Sequence, residues 1–306
     1  MAYDVIGDVH GQAGKLKALL RKLGYTESGS WKPPAGRQAV FLGDLIDRGP
    51  EQVEVVRIVR GMMDAGDAHC VMGNHEFNAI GFATPRRDGS GEFLRKHSPK
   101  NRHQHAEFLK QVVEGSSLHR ELIDWFRTLP PALDLGGIRV VHAWWNQDFA
   151  DLVERRFWDG QRMSDGFLHA SYERGSEEWA AMEGLTKGLE IALPDGHSFA
   201  DHDGFVRTEV RTRWWLQGEL TYRDVAIVEG DAIRQMPEIP VPRALLGTPS
   251  PGAPVFVGHY WLKGVPKLQS PTVACLDYSA AHDGPMVAYR WNGEPKLDPG
   301  SFVVAG

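Results

Sequence analysis

The chain has 306 residues, 42% of them hydrophobic and 24% charged, with a formal net charge of −6 and a pI near 6.1. Those proportions argue against disorder, and the acidic balance leaves no basic footprint for duplex nucleic acid. No apolar run approaches the ~20 residues of a membrane-spanning helix, so no membrane partner is expected. Met1-Ala2-Tyr3 runs straight into an apolar stretch without a basic leader. Cys70 and Cys275 each sit in an apolar run and read as buried small hydrophobes rather than a disulfide. The expected location is therefore a reducing cytoplasm.

In chain order, Asp4-Val5-Ile6 reads as a strand, followed by a helix from Gly11 to Leu23 with leucines at helical spacing and Gly24 as its stop. Residues 39–42 form a second buried strand. A helix opens at Pro50 and runs to Gly66, and 69–72 form a third strand. This βαβαβ rhythm predicts parallel strands covered on both faces. Helices are expected over 104–113 and 118–129, ended by Pro130-Pro131, and a fourth strand over 138–141. Residues 145–254 have weaker periodicity, turn signals and a Pro-rich end, and read as an insertion into a single domain spanning 1–306. Strands resume at 255–257, 272–276 and 286–291. The last two, bridged by Asp283-Gly284, predict a hairpin.

The chemistry lies in what ends each strand. The first delivers Gly7-Asp8-Val9-His10-Gly11, the second Gly43-Asp44-Leu45-Ile46-Asp47-Arg48-Gly49, the third Gly73-Asn74-His75-Glu76, the fourth His142, and a later one Gly258-His259. Ligands gather at the carboxyl ends of parallel strands. Carboxylate, imidazole and amide oxygen together suit Mn²⁺, Fe or Zn²⁺. Asp8 and His10, two apart, would point the same way on extended backbone, whereas Asn74 and His75 would point opposite ways. Taken singly, a Gly-Asp pair is usually a turn and a lone His a structural residue; five such strand ends in order are not explained that way.

In these blocks the chain resembles the calcineurin-like metallophosphoesterases, and most resembles the branch of serine/threonine phosphoprotein phosphatases and bacterial symmetrical diadenosine tetraphosphatases. The resemblance implies a mixed α/β four-layer fold: a central β-sandwich flanked by helices, with the insertion as a cap. It implies two divalent metal ions, Mn²⁺ ahead of Fe or Zn²⁺. Asp8, His10 and Asp44 would hold one; Asp44, bridging, with Asn74, His142 and His259 would hold the other. A bridging hydroxide would attack a phosphate ester. His75 would protonate the leaving oxygen, oriented by Asp47, and Arg48 would grip the phosphate. A second phosphate-binding arginine is expected among Arg207, Arg211 and Arg213, with Arg211 chosen by position. Asp277, ending the strand after His259, would orient a metal-binding histidine.

The blocks at His142-Ala143-Trp144-Trp145 and Gly258-His259-Tyr260-Trp261 depart from the family pattern in their bulky aromatics, which are either core or a stacking surface. The first functional expectation is a phosphomonoesterase of the phosphoprotein-phosphatase type. The alternative is a nucleotide-directed enzyme acting on diadenosine tetraphosphate or nucleic-acid ends. Gly204-Phe205-Val206-Arg207 and Arg211-Thr212-Arg213-Trp214-Trp215 resemble segments of bacterial RNA-repair phosphatases. The partner is a phosphorylated substrate: phosphoprotein, nucleotide or small phosphoester. A non-catalytic binding protein would have lost ligands, and none is missing. His97, His103, His105 and His119 are expected in solvent. His197 and His202 lie in the insertion and fit turn chemistry as well as a cleft.

Overall fold

A computed structural model describes residues 1–200, 204–228, 230–246 and 252–306. His202 lies outside the described residues. Labels below follow the two main sheets and the longer helices. The chain opens with β1 (Ala2–Ile6), α1 (Ala13–Lys22), β2 (Arg37–Phe41), α2 (Gln52–Asp64), β3 (Ala68–Cys70) and α3 (Asn74–Ala83). Helices α4 (Pro99–Gln104), α5 (Ala106–Val112) and α6 (Ser117–Phe126) lead into β4 (Ala132–Asp134) and β5 (Arg139–Val141). After the insertion come β6 (Val255–Val257), β7 (Val273–Cys275), β8 (Met286–Trp291) and β9 (Phe302–Ala305).

Two mixed sheets result, in the orders β9-β8-β1-β2-β3 and β7-β6-β5-β4. The βαβαβ opening does give parallel β1, β2 and β3, as the rhythm predicts. Their register pairs Ile6 with Phe41 and Phe41 with Cys70, so all three strands end at one edge. In the second sheet Phe256 pairs with Val140 and Val257 with Cys275, again ending three strands together. Alternate residues face opposite sides. Val5, Val40, Phe256, Val287 and Tyr289 fill the space between the sheets, whereas Ile6, Phe41 and Val257 face outward and join the cluster to which the helices contribute Leu16, Leu19, Val55 and Val59. This is a sandwich flanked by helices. Both faces of each strand are buried, which is why the strands read as continuous apolar runs.

The hairpin expected between 272–276 and 286–291 does not form. β7 is an edge of the second sheet, whereas β8 lies in the first, antiparallel to β1 and β9. Asp283-Gly284 therefore belongs to a crossover between sheets, and local turn residues could not reveal that. The helix expected from 104 begins earlier, at Pro99, and breaks at His105, whose φ of −102° and ψ of 3° interrupt the turn between α4 and α5.

Within 145–254, helices α7 (Gln147–Arg156), α8 (Asp165–Ala170) and α9 (Glu177–Lys187) pack Val153, Phe167, Met182 and Leu185 into the main core. From Ile191 to Val241 a separate small cluster forms around Val210, Tyr222, Val225 and Met236. Trp144, Trp145 and Tyr260 of the departing blocks are buried, as are Trp214 and Trp215, so these five aromatics are core. Trp261, 44% exposed, is the exception. Among the described residues no helix is long and apolar enough to cross a membrane.

Candidate metal centre

The loops leaving β1, β2, β3, β5 and β6 meet at the shared sheet edges. Two sets of three ligand atoms gather there, each within 4.8 Å: those of His10, Asp44 and His75, and those of Asp44, His142 and His259. Asp44 is common to both. Its Oδ2 lies 3.6 Å from His10 Nε2, 3.8 Å from His75 Nε2 and 3.3 Å from His142 Nε2. Asp8 Oδ2 stands 4.0 Å from His10 Nε2. Asn74 Oδ1 faces His142 Nε2 at 3.1 Å and His259 Nδ1 at 2.9 Å. Every metal-ligand candidate from the strand ends is thus brought to one pocket.

The backbone there is unusual. Of the non-glycine residues with positive φ among those described, His10, Asp44, Asp47, Arg48, His259 and Trp261 all lie in these loops. Such conformations cost of order 1–3 kcal/mol each and persist only when the surroundings over-determine them. They also correct the expected local geometry. His10 has a φ of +46° and is not extended, so Asp8 and His10 converge through a left-handed turn. Asn74 and His75 open helix α3 rather than continuing a strand. Gly258 matters through close approach: a Cβ on it would collide with Asp8 Oδ1.

Glu76, in the first turn of α3, holds the site loops together. Its carboxylate accepts from the backbone N–H of Asp44 at 2.9 Å, Leu45 at 2.8 Å and Gly73 at 3.0 Å. In the sequence Glu76 is only the last residue of the Gly73-Asn74-His75-Glu76 block; its donors come from two separate loops. Burial and the charge of Asp44 push its carboxyl up to about 7.

The pocket fits cations. His10 and His142 each place Nδ1 on a backbone carbonyl, Ile46 O at 3.0 Å and Leu42 O at 2.6 Å. That assigns a proton to Nδ1 and aims Nε2 toward Asp44. Nε2 of His10 and of His259 is buried without a hydrogen-bond partner among the described residues. Burial, then the charge of Asp277, pushes Asp8 well above the usual carboxylate range. Burial opposes a charge on His142, but Asp44 and Asp8 outweigh it and raise the imidazole to about 10. By contrast, burial holds His10 down at about 3. Crowded carboxylates that draw a proton onto a buried imidazole mark a site that calls for positive charge.

Beside the metal-ligand candidates, His75 Nδ1 donates to Asp47 Oδ2 at 2.6 Å, and its Nε2 faces Asp44. Burial works against the imidazolium, yet the charge of Asp44 and the hydrogen bond to Asp47 raise the His75 pKa overall. Arg48 lies at the mouth, with Cζ 4.4 Å from the centre of the Trp261 ring. Asp277 accepts from the backbone N–H of Trp261 at 2.7 Å and of Ser279 at 2.9 Å. Its hydrogen bonds thus fix the loop after His259 through backbone donors rather than an imidazole.

Of the three candidate arginines, Arg211 pairs with Glu190 at 3.1 Å, and its charge is the strongest influence after burial in lowering the His259 pKa. Arg207 is exposed, and Arg213 donates to Asp224 O. His197 Nδ1 lies 3.3 Å from Asp195 O within its own turn.

The expectation that four histidines are solvated holds only for His103. His97 stacks between Phe82 and Phe93 at 3.7 and 4.1 Å, and His119 is buried. His105 is fully buried, with Nδ1 2.7 Å from Asp47 Oδ1. A signal existed: His105, Phe108 and Val112 fall on one buried helical face, which the polar residues between them obscured.

A profile of the calcineurin-like phosphoesterases matches residues 1–213. The asymmetrical bis(5'-nucleosyl)-tetraphosphatase PrpE of Bacillus subtilis is 49% identical over 76 residues, 24% of this chain and 31% of that protein. The symmetrical bis(5'-nucleosyl)-tetraphosphatase of Aromatoleum aromaticum is 33% identical over 143 residues, 47% of this chain and 44% of that protein. The chain thus spans less than half the length of these two relatives. A protein serine/threonine phosphatase from Saccharomyces cerevisiae superposes with a TM-score of 0.50 at 16% identity, covering 99% of this chain and 78% of that one. At that identity it bears on the fold alone.

Proposed function

This chain belongs to the calcineurin-like phosphoesterase family, and from that premise we propose that it is a metal-dependent hydrolase directed at nucleotide phosphoesters, dinucleoside polyphosphates first. The observation that carries the nucleotide reading is the pairing at the mouth: a 44% exposed indole, Trp261, against the Arg48 guanidinium. A planar apolar face beside a planar cationic fork suits a base and its phosphate. The tetraphosphatase relatives support the same reading. The phosphoprotein reading has only a shared fold behind it.

Asp8, His10 and Asp44 would hold one divalent ion; Asp44, Asn74, His142 and His259 would hold the second. Mn²⁺ is the first choice, with Fe and Zn²⁺ served by the same donors. Such a pair supplies a nucleophile at neutral pH and neutralises phosphate charge. Arg48 binds a non-bridging phosphate oxygen through its fork, and its contact with Trp261 limits where the fork can point. Arg211 reaches the same phosphate from the His259 side. His75, with Nδ1 tied to Asp47, holds a proton at Nε2 for the leaving oxygen. Asp277 keeps the His259–Trp261 loop in register with the pocket. The 145–254 segment acts as a cap that selects substrate, and the location is cytoplasmic.

Hydrolysis by chelator-stripped protein, with and without Mn²⁺, tests this reading on diadenosine tetraphosphate, a phosphopeptide and nitrophenyl phosphate. Mn²⁺-dependent cleavage of the dinucleotide at the highest kcat/KM supports it. Preference for the phosphopeptide overturns the nucleotide assignment, and no turnover of any ester overturns the hydrolase.

A further inference from the structure

We propose that His105 is a positioning residue that locks the Asp47 carboxylate, and through it His75, in the geometry for proton delivery. The proposal rests on the reading of His75 as the group that protonates the leaving oxygen.

A carboxylate that orients an imidazole with one oxygen can still rotate about its Cβ–Cγ bond. Here both oxygens are engaged. Oδ2 takes the His75 Nδ1 proton at 2.6 Å, and Oδ1 takes a second imidazole proton, from His105 Nδ1, at 2.7 Å. The Asp47 backbone is fixed too: its N–H donates to Gln52 Oε1 at 2.6 Å, and its φ of +67° leaves little room for drift. Two charge-assisted bonds from opposite sides define the carboxylate plane, and that plane sets the direction of the His75 ring.

His105 is itself held. Its side chain is fully buried, and its ring stacks on Phe108 at 4.9 Å and lies 5.3 Å from Phe82. Nε2 has no hydrogen-bond partner among the described residues. A proton on Nε2 would lie unpaired among aromatic rings, so the proton sits on Nδ1, where Asp47 accepts it. The two imidazoles also outweigh the effect of burial on Asp47 and hold its carboxyl below the usual range, with the His105 hydrogen bond foremost. His105 is 58 residues along the chain from Asp47, outside every strand-end block. Its place at the break between α4 and α5 turns the ring inward.

The test compares H105N, whose amide N–H can occupy the Nδ1 position, with H105Q, which carries its amide nearer Nε2, and H105F, which keeps the ring and loses the donor. With Mn²⁺ present, H105F and H105Q should lose about tenfold in kcat on an alkyl phosphate, whose leaving group needs a proton. They should lose less than about twofold on nitrophenyl phosphate, with KM unchanged, and H105N should recover most of the loss. Proton NMR of the same proteins with diamagnetic Zn²⁺ in place of Mn²⁺ should show the downfield His75 Nδ1 resonance moved in H105F and H105Q and restored in H105N. Equal losses on both esters without rescue by H105N, or wild-type kinetics in H105Q, would overturn the proposal. If the wild type turns over neither ester nor diadenosine tetraphosphate, the hydrolase reading falls and the NMR arm decides alone: an unmoved His75 resonance then overturns positioning. Should H105F not fold, the H105N and H105Q pair carries the same comparison.

Discussion

The Trp261 indole and the Arg48 guanidinium form a cation–π pair, 4.4 Å from ring centre to Cζ, at the one place where an aromatic of the departing blocks stays exposed. Arg48 comes from the loop after β2 and Trp261 from the loop after β6, so the pair ties together loops from the two sheets.

Trp261→Ala removes a stacking face without touching a metal-ligand candidate. KM for diadenosine tetraphosphate should rise about tenfold, the ~1.4 kcal/mol expected of one stacked base. A small alkyl phosphate should be affected less than about twofold, because the phosphate grip of Arg48 remains. Steady-state kinetics on both substrates checks this; equal effects on the two would remove the base-stacking role.

The Asp47–His75 pair sets a pH limb. The His75 pKa is raised in the fold, so the proton needed by the leaving group is held below that raised pKa and lost as pH climbs through it. Asp47→Asn deletes one of the charges that raise it. The basic limb of kcat should therefore move to lower pH, and kcat on alkyl phosphates should fall at least about tenfold. A limb that stays in place would assign the proton to another group.

Metal removal should expose a pH-dependent instability. Glu76 is raised to about 7 and His142 to about 10, while Asp8 is also raised. For each of these the folded state binds protons more tightly than the unfolded chain, so stability falls as pH rises through the window. Across about pH 7 to 8.5 His142 dominates, since Glu76 completes its titration near pH 7 and the depressed His10 acts below the ordinary histidine range. Chelator-treated protein should lose about 5 °C in Tm over that range, and Mn²⁺ should flatten the dependence. Asp44→Asn should abolish both the Mn²⁺ gain in Tm and hydrolysis. Parallel curves with and without metal would argue against a charge-compensated pocket.

Away from the site, Asp4 is fully buried between Arg37 and Arg290, at 2.9 Å from Arg37 Nη2 and 2.9 Å from Arg290 Nε. These arginines lie on the strands either side of β1. Asp4→Ala leaves two arginines facing each other and should cost about 3 kcal/mol in denaturant unfolding. A loss under about 1 kcal/mol would mean the arginines relax into solvent.

The parts of this protein legible in sequence were those that local chemistry dictates. Apolar runs such as Asp4–Ile6 and 39–42 announce buried strands, and the Gly-Asp, Asp-Arg-Gly and Asn-His-Glu endings announce donors at their carboxyl ends. Because parallel pairing aligns those ends, Asp8, Asp44 and Asn74 had little freedom to lie anywhere but together. Tertiary structure decided the rest. Only the register of two sheets tells that β7 and β8 part company across a crossover. Only packing tells that five of six aromatics are core while Trp261 faces out, or that Glu76 joins the Asp44 and Gly73 loops. His105 shows the limit most clearly. Its spacing to Phe108 and Val112 hints at burial but not at a partner, since Asp47 lies 58 residues away and only the folded chain brings the two within 2.7 Å.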